Sequence, residues 1–573
     1  MHVATTRRHY VDKDGQQRTY ETHLLRRSYR DGGKVKNETL ANLSHLPAET
    51  IELVRAALEG EVFVPAGGVR VARSLRHGHV AAVWAQARAL GLADLLGPAG
   101  RMRDIAVALV VARVVRPASK LATRRWWTDT TLATDLGVAD ASRDEVYAAL
   151  DWLAGHQDHI ERQLAARHLA DGGLAYFDLS SSWLTGRCCP LAARGYSRDG
   201  RRGLPQIEYG LLTGEAGRPV AVRVFPGNTA DPTAFTTIVT AVRQTFGLRR
   251  LILVGDRGII TSARIDALRT GTDLGWLTCL RAGDIAALAA EQGPLQMSLF
   301  DSQDLAEITH PDYPGERLIA CRNPALAAER ARKRAALLEA TEPHLQKIKA
   351  AVDAGRLVDP AAIGIRVGRI IGKYKMGKHF TCDIAPGRFG YARDQASIDA
   401  EAALDGIYVI RTNAPADTLP AAEAVTAYKA LSNVEHDFRS LKTIDLDLRP
   451  VRHYTETRVR AHVLLCLLAE YLIWHLRRAW APLTYTDEHP PERDNPVAPA
   501  ARSTQAKHKD ATGTTDDGQP ALSFHDLLDH MATLTRNTIT LTGGATIDLI
   551  ATATTTQRRA FELINSPIPA TLR

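Results

Sequence analysis

The sequence predicts an α/β protein built around a mixed sheet with helices on both faces. Three observations support this. Two apolar runs of strand length, LAYFDL and LILVGD, end at Asp178 and Asp256. The segments QIEYGLLT and VAVRVF flank the turn GEAGRP, which is typical of a β-hairpin. Asp231-Pro232 then opens a helix that we expect to run to about Phe246, because aspartate caps a helix and proline fits its first position.

The elements that follow complete this order. A short helix is predicted near Ser262 to Leu268, and WLTCL reads as a further strand. The order is therefore strand, strand, strand, helix, strand, helix, strand. This is the element order of the ribonuclease-H-like fold, so we expect a ribonuclease-H-like catalytic core.

Composition and periodicity divide the rest of the chain. A late segment rich in Pro, Thr, Asp and Lys has almost no apolar residues, which predicts disorder. The predicted organisation is a small β-rich module at 1–66, a helical region that could bind DNA at 67–170, the first part of the core at 171–281, an inserted domain at 282–412, a helix containing Glu435 and the following helix at 413–480, a disordered linker at 481–520 and a C-terminal tail at 521–573.

Size and charge narrow the class of protein. A chain of 573 residues exceeds one compact core. Lys and Arg outnumber Asp and Glu by 72 to 64, which mildly favours a polyanionic partner. The six cysteines form neither a CxxC pair nor a zinc spacing, so a reducing compartment is expected. The apolar segment from Val463 to Trp474 is too short to span a bilayer and contains Glu470. We expect a cytoplasmic, nucleoid-associated protein with no membrane contact.

Two basic segments have two possible interpretations each. Each could contact DNA, or could be an ordinary solvated surface, since exposed charge often means only solubility. The segment in the N-terminal module contains Arg26, Arg27, Arg30, Lys34 and Lys36. The segment in the helical region contains Arg113, Arg116, Lys120, Arg124 and Arg125, which precede Trp126 and Trp127.

The most informative segment is AYKALSNVEHDFRSLK, which we predict to be one helix. At about 100° per residue, a single face of such a helix carries a tyrosine, a carboxylate and two cations, and Asp437 points the opposite way. The residues on this face are Tyr428, Leu431, Glu435, Arg439 and Lys442. A carboxylate can hold a divalent metal and cations can hold DNA phosphates, so the face suits phosphodiester chemistry.

Asp178 and Asp256 extend this pattern. A carboxylate at the end of a buried strand is exposed at the sheet edge, where two neighbouring strands can bring two carboxylates to one ion. With Glu435 they would bind Mg²⁺ or Mn²⁺, and two such ions about 3.5–4 Å apart can activate one oxygen and stabilise another. The alternative for either aspartate alone is a cap or a turn former.

With these motifs, the chain resembles bacterial insertion-sequence transposases of the DDE type, in the group with an insertion between the second Asp and the Glu. That group has the signature Tyr-x2-Arg-x3-Glu-x6-Lys. The spacing is matched by Tyr428, Glu435 and Lys442, whereas Leu431 occupies the arginine position. The contexts FDLSSSWL, VGDRGI and FPGNTAD, the last with Asn228 and Asp231, also resemble that family.

The resemblance implies a mechanism. Asp178, Asp256 and Glu435 would be the catalytic metal ligands, with Mg²⁺ or Mn²⁺ as the cofactor and two ions in the site. Double-stranded DNA, both element ends and target, would be the partner, and a homodimer would act on it. Tyr428 and Lys442 would hold phosphate. Because the arginine contact is missing at position 431, we expect Arg439 to replace it.

Several interpretations stay open. Tyr428 could be a packing residue, Lys442 could lie on a solvated face, and Arg257 could bind phosphate or orient its loop by a salt bridge. Trp183 is expected to be structural, and His436 is not expected to bind metal. For the whole chain, the alternatives to a transposase are a metal-dependent nuclease without strand transfer and a domesticated protein that only binds DNA.

Overall fold

The computed structural model of the protein describes all residues except 12, 14, 62–67, 202, 272, 291–292, 302, 542–543 and 573. The chain forms two compact units. One comprises Met1–Leu75 and Arg536–Ala551, and the other Arg76–Thr535 and Thr552–Arg573. The domain boundary predicted at residue 66 lies outside the described residues.

The first unit begins with an antiparallel sheet. The sheet consists of β1 (His2–Val11), β2 (Gln17–Asp31) and β3 (Lys34–Asn42). Helix α1 (Ala48–Leu58) and strand β4 (Val69–Arg76) follow it in the chain. Within the sheet, Arg27 pairs with Glu38 at 2.9 Å and Lys36 with Asp31 at 2.6 Å. Part of the basic charge predicted for this module is therefore offset by neighbouring carboxylates. Helical periodicity was expected from about residue 69, but VRVARSLR alternates and forms β4.

The second unit opens with helices, as predicted for this region. They are α2 (Gly78–Ala89), α3 (Leu92–Leu96), α4 (Arg101–Val115), α5 (Lys120–Trp126), α6 (Leu132–Asp135), α7 (Arg143–Gly155) and α8 (Gln157–His168). Ser142 and Glu145 form a capping box that starts α7. Helix α4 is buried along most of its length, so it is a core helix.

The central sheet follows, with every predicted strand present. Its elements are β5 (Leu174–Trp183), β6 (Gln206–Thr213), β7 (Pro219–Pro226), α9 (Asp231–Thr240), β8 (Ile252–Val254), α10 (Ser262–Gly271), β9 (Gly275–Cys279) and α11 (Ala282–Leu288). Strands β5, β6 and β7 are antiparallel neighbours, whereas β8 is parallel to β5 and β9 to β8. Strand β5 continues beyond the end predicted at Asp178, because Asp178 to Trp183 pair with β6.

The predicted inserted domain is only partly separate from the core. Its elements are β10 (Leu305–Ile308), β11 (Arg317–Arg322), α12 (Pro324–Asp353), α13 (Pro360–Tyr374), β12 (Phe380–Ala385), β13 (Arg388–Arg393), α14 (Gln395–Ala402) and β14 (Ile407–Thr412). Strands β10, β11 and β14 extend the central sheet, whose order is β10-β11-β14-β9-β8-β5-β6-β7. The two long helices and the β12–β13 hairpin have their own apolar core, which includes Leu345, Ile363 and Phe389.

The helix predicted to carry the signature is interrupted. It consists of α15 (Ala421–Lys429) and α16 (Leu431–Arg439), joined at Ala430, and a π-helical turn follows at Ser440–Ile444. The apolar segment after it lies in α17 (Glu456–Ala479), which is longer than expected. By length and composition this helix could cross a membrane, but 83% of its apolar window is buried inside the protein. It therefore serves as a core helix.

The segment predicted to be a disordered linker is ordered in the structure. It contains α18 (Thr504–Thr512), and Lys429 Nζ donates hydrogen bonds to the backbone carbonyls of Pro496, Val497 and Ala498. Composition misled here, because the few apolar residues of the segment, such as Val497, are buried and lysine contacts add to them: Lys509 Nζ lies 2.7 Å from Glu488. The chain ends with α19 (Phe524–Ala532), β15 (Thr535–Leu541), β16 (Thr546–Ile550) and α20 (Thr555–Leu563); β15 and β16 form a sheet with β4.

Candidate active site

The register of the central sheet brings Asp178 and Asp256 together. Strands β5 and β8 pair in parallel from Leu174 opposite Ile252 to Tyr176 opposite Val254, a constant offset of 78 positions. The two aspartates are separated by the same offset and lie two residues beyond the last pair. They are therefore neighbours where β8 ends.

The turn after β8 orients Asp256. Its Oδ1 accepts hydrogen bonds from the backbone N–H groups of Gly258 at 2.9 Å and Ile259 at 2.8 Å. A side chain at position 258 would begin 3.3 Å from that oxygen, so glycine permits the close turn. The carboxylate is exposed, and its Oδ2 accepts no hydrogen bond from the described residues. This oxygen is available to an external ligand.

Asp178 occupies a less polar position on β5. Its Oδ1 accepts a hydrogen bond from the backbone N–H of Leu179 at 2.7 Å. Burial raises the pKa of Asp178 to about 7, and the negative charges of Asp256 and Glu435 act in the same direction. These effects show that Asp256 and Glu435 both lie within electrostatic range of Asp178.

Glu435 reaches the site from α16, which packs on β5. Its side chain is exposed. In the part of the chain that the structure describes, none of the three carboxylates forms an ion pair with a lysine, arginine or histidine. The described residues also contain no group of three or more His, Cys, Asp or Glu positioned to hold a metal. The structure thus places Asp256 and Glu435 near Asp178, without a closed set of metal ligands among the described residues.

Tyr428 lies beside this site at the end of α15. Burial raises the pKa of Tyr428, and the neighbouring groups include the Cys279 thiol, Asp256 and Arg257. It is half-buried. Both interpretations of the sequence are therefore compatible with its position, since it packs against β9 and lies near a carboxylate.

Lys442 is not an exposed phosphate ligand. Its Nζ lies 2.8 Å from Asp199 Oδ1, and Arg449 contacts the same oxygen at 2.5 Å. The Asp199 side chain is fully buried. The π-helical turn at Ser440–Ile444 displaces this lysine from the face expected of a continuous α-helix. Lys442 is thus paired with a buried carboxylate in this structure, and its contact with phosphate stays a prediction.

Arg439 and Arg257 remain exposed near the site. Arg439 Nε donates to the backbone carbonyl of Glu435 at 3.4 Å, rather than to its carboxylate. Arg257 follows Asp256 and influences Tyr428 electrostatically. Leu431 is the half-buried first residue of α16. The two arginines are therefore free to meet an anion, whereas the position of the missing arginine is apolar.

Sequence reasoning missed Arg198, which lies close to Asp178. Its Nη2 is 2.9 Å from Asp231 Oδ1 and its Nη1 is 3.5 Å from Glu208 Oε1. The backbone N–H of Arg198 donates to Ser181 Oγ at 2.9 Å. Asp231 was noted in FPGNTAD, but nothing local in GYSRDG indicates its partner. Arg198 connects that motif to the site.

Burial also acts on Glu208, the second partner of Arg198. Desolvation raises the pKa of Glu208 to about 7, although the nearby Arg198 opposes this rise. The Asp231 motif is further fixed by close packing at Gly227, where an added side chain would meet the carbonyl of Gln206 at 2.0 Å. Position 227 in FPGNTAD therefore requires glycine, because the backbone of Gln206 comes too close for a side chain.

Asp437 points away from the site, as predicted, but it is buried rather than solvated. It is 4% exposed, and burial beside Glu470 raises the pKa of Asp437 to about 9. Burial likewise raises the pKa of Glu470 to about 8. Ser440 Oγ donates a hydrogen bond to Glu470, and Asp445 pairs with Arg477 at 2.7 Å. A buried acidic cluster thus anchors α16 to α17.

The remaining candidates have structural surroundings. Trp183 is half-buried, with the Arg201 guanidinium 5.8 Å from its ring centre. His436 belongs to no group of potential metal ligands among the described residues. Asn228 is exposed beside Gly227.

Comparison with known proteins identifies the family. The family described as "Transposase DDE domain" matches residues 185–472, just over half of the chain. The chain belongs to this DDE transposase family. A second family, described as "IS1634 family transposase, N-terminal domain", matches residues 10–64 and relates the N-terminal module to insertion-sequence transposases. This DDE transposase accordingly belongs to a class of enzymes that act on DNA.

Other comparisons add little to this DDE transposase's description. No curated protein matches it significantly. One solved structure with some similarity is described as "Cryo-EM structure of piggyBac transposase synaptic complex with hairpin DNA (SNHP)". Its TM-score is 0.34 with 7% sequence identity, over 70% of this chain and 72% of that chain. We draw nothing from a similarity at this level.

Proposed function

We propose that this transposase binds the terminal inverted repeats of its own element, hydrolyses the phosphodiester bonds at the ends and joins the 3′-hydroxyls to target DNA. The observation that supports the proposal most is the shared register of Asp178 and Asp256, with Glu435 within electrostatic range of Asp178. The family match adds support, since it covers Asp256 and Glu435.

The donor set suits a divalent metal. Carboxylate oxygens are the ligands that Mg²⁺ and Mn²⁺ prefer, and no protein cation pairs with these three carboxylates among the described residues. Asp178, Asp256 and Glu435 would hold the metal, and two ions are proposed. When bound, such ions supply charge stabilisation for a phosphodiester and lower the pKa of a coordinated water.

The protein's own residues set up the reaction. The N–H groups of Gly258 and Ile259 hold one oxygen of Asp256, so the other is presented to the ligand. Arg439 and Arg257 would bind the DNA phosphates near the carboxylates, and Tyr428 would border the strand. Arg198 fixes Asp231 and Glu208 behind β5, which keeps the strand carrying Asp178 in position.

We also propose a ribonuclease-H-like core. Support comes from three antiparallel strands, β5 to β7, followed by β8 and β9, which lie parallel on the other side of β5. The further proposals are a homodimer on two element ends and action in the cytoplasm at the nucleoid. These rest on the family's chemistry, which processes two DNA ends.

A strand-transfer assay tests the function. The full chain is mixed with a labelled duplex carrying one element end and with a supercoiled target, in Mg²⁺ or in EDTA. We expect cleaved ends and joined products in Mg²⁺ and neither in EDTA. Cleavage without joining would favour a nuclease, and binding without cleavage would favour a domesticated DNA-binding protein. Cleavage that persists in excess chelator would contradict the metal mechanism.

A further inference from the structure

A second polar site lies away from the three carboxylates. A cavity of about 790 Å³ is bounded by the connection between α4 and α5, the start of α7 and the segment that precedes α17. Ligand sites typically measure 300–1,000 Å³, so the cavity has the size of a site for a small organic ligand. Asp178, Asp256 and Glu435 are not among the described residues that line it.

The lining is strongly cationic. It contains six Lys or Arg side chains but only two acidic ones, Asp144 and Asp447. The cations are Arg113, Lys120, Arg143, Arg449, Arg452 and Arg458. Three of them are paired: Arg143 with Asp144, Arg449 with Asp199 and Arg458 with Asp151. The other three form no ion pair within the described part of the chain, so the wall carries excess positive charge.

Two of the unpaired cations are almost fully buried. Lys120 is 4% exposed, and its Nζ lies 3.1 Å from Nδ1 of the buried His462. Arg113 is 5% exposed and donates only to the carbonyls of Leu446 and Ala118 among the described residues. A buried ammonium without an anion is costly, and burial with the charge of Arg113 lowers the pKa of Lys120. An anion in the cavity would offset this cost.

Aromatic rings accompany the cations. Tyr147 lines the cavity with Arg458 stacked 4.7 Å from its ring centre. Tyr454 also lines it and is 63% exposed. An exposed aromatic face beside cations suits a nucleobase joined to a phosphate, because bases stack on such rings. Sulfate or phosphate alone would not use the tyrosines.

We propose that this cavity binds a phosphate-bearing nucleotide unit, with Lys120, Arg113 and Arg452 at the phosphate and Tyr454 beside the base. The source of the unit is either a single DNA strand or a free nucleotide. The site goes beyond the strand-cleavage proposal, since it uses none of the three carboxylates. Its test needs no catalysis, so either proposal can fail without the other.

Binding is measured on the full chain in EDTA, which prevents metal-dependent cleavage. The probes are a fluorescent 5′-phosphorylated dT tetranucleotide, thymidine 5′-monophosphate and thymidine. Because Arg452 is exposed, Arg452→Ala should disturb the fold least among the three unpaired cations. Arg452→Lys is the charge-conserving variant. Lys120→Met keeps similar volume and removes the buried charge. Arg332→Ala removes one exposed arginine on α12, outside the cavity, and is the matched control.

We expect the phosphorylated probes to bind at least tenfold more tightly than thymidine. Arg452→Ala should weaken them about tenfold, as for one lost hydrogen bond to a charged group, whereas Arg452→Lys and Arg332→Ala should change little. Binding of the tetranucleotide alone would identify DNA as the source, and displacement by the mononucleotide would identify a free nucleotide. Equal binding of thymidine, or unchanged affinity in Arg452→Ala, would overturn the proposal.

Discussion

Helix α16 carries carboxyl groups in two opposite settings. Glu435 is exposed and lies within electrostatic range of Asp178, whereas Asp437, two residues later, is buried against Glu470. On the first face, the open face, no protein cation pairs with the carboxylates in the described part of the chain. On the second face, the closed face, burial raises the pKa values of Asp437 and Glu470 to about 9 and about 8, which favours the uncharged form of these acids.

The difference shows what separates a ligand from a core residue. Both faces bring acidic side chains together, but only the open face has exposed carboxylates, Asp256 and Glu435, that an external cation could reach. On the closed face Ser440 donates a hydrogen bond to Glu470, and burial favours the uncharged form of both acids. Residue type alone therefore does not distinguish a candidate metal ligand from a core acid, whereas the exposure of each carboxyl group does.

The largest expected effect separates the two faces by activity. Asp178→Asn, Asp256→Asn and Glu435→Gln should each lower end cleavage by more than about 100-fold, since loss of a residue that only hydrogen-bonds to a metal ligand already costs about 10–100-fold. Binding to the ends should be largely retained, because cations supply most DNA affinity. Cleavage rates and gel-shift affinities measure both. Asp437→Asn is the control and should stay active. Full activity in any of the three variants would remove that residue from the site.

The next effect concerns Lys442, which we assign to structure rather than to phosphate. Lys442→Ala leaves the buried Asp199 with Arg449 as its remaining partner. Loss of one partner of a buried pair costs about 3–5 kcal/mol, and the second cation should keep the loss near or below the lower end. Urea unfolding measures it, with Lys442→Arg as the conservative variant. Unchanged stability together with weaker DNA binding would instead favour the phosphate role.

The closed face should make stability depend on pH. Because the pKa of Glu470 rises from an ordinary 4.5 to about 8 on folding, the native state holds the extra proton between these values. The stability from this group is complete below about pH 4.5 and is lost as the pH rises through about 8. Glu470→Gln should flatten the decline of the unfolding free energy over this range. An identical pH profile in the variant would show that Glu470 is not buried in its protonated form.

The smallest effect sharpens the description of the open face. Arg439 is exposed and contacts a backbone carbonyl rather than a carboxylate, so Arg439→Ala should leave stability unchanged. If Arg439 replaces the arginine missing at position 431, the variant should make one phosphate contact fewer. The slope of log affinity for the ends against log salt concentration should then fall in magnitude by about 0.9. Leu431→Arg in that background should restore the slope. An unchanged slope in Arg439→Ala would remove it from the DNA contact.

Local patterns predicted much of the fold. Apolar runs and turn residues located β5 to β9, and capping residues located the start of α9. The end of the LILVGD run singled out Asp256 as a candidate, and the family signature singled out Glu435. The offset of 78 between the aspartates is also visible in the sequence, but only the pairing of β5 with β8 shows that it equals the strand register.

Long-range contacts were not predictable in this way. The Lys442–Asp199 pair joins residues 243 positions apart, and the π-helical turn that places Lys442 there has no clear sequence signal. The ordered segment predicted to be a linker is fixed by Lys429, whose charge gives no hint of three carbonyl partners. Lys120 looked like part of a basic surface until its burial was known.

Direct metal binding tests the central claim, that the open face of α16 is a metal site and the closed face is not. Calorimetric titration with Mn²⁺ should detect binding to the unaltered chain and to Asp437→Asn with similar affinity. Asp178→Asn, Asp256→Asn and Glu435→Gln should each bind at least about tenfold more weakly, as loss of a carboxylate ligand requires. Equal Mn²⁺ affinity in all five proteins, or selective loss in Asp437→Asn, would contradict the account.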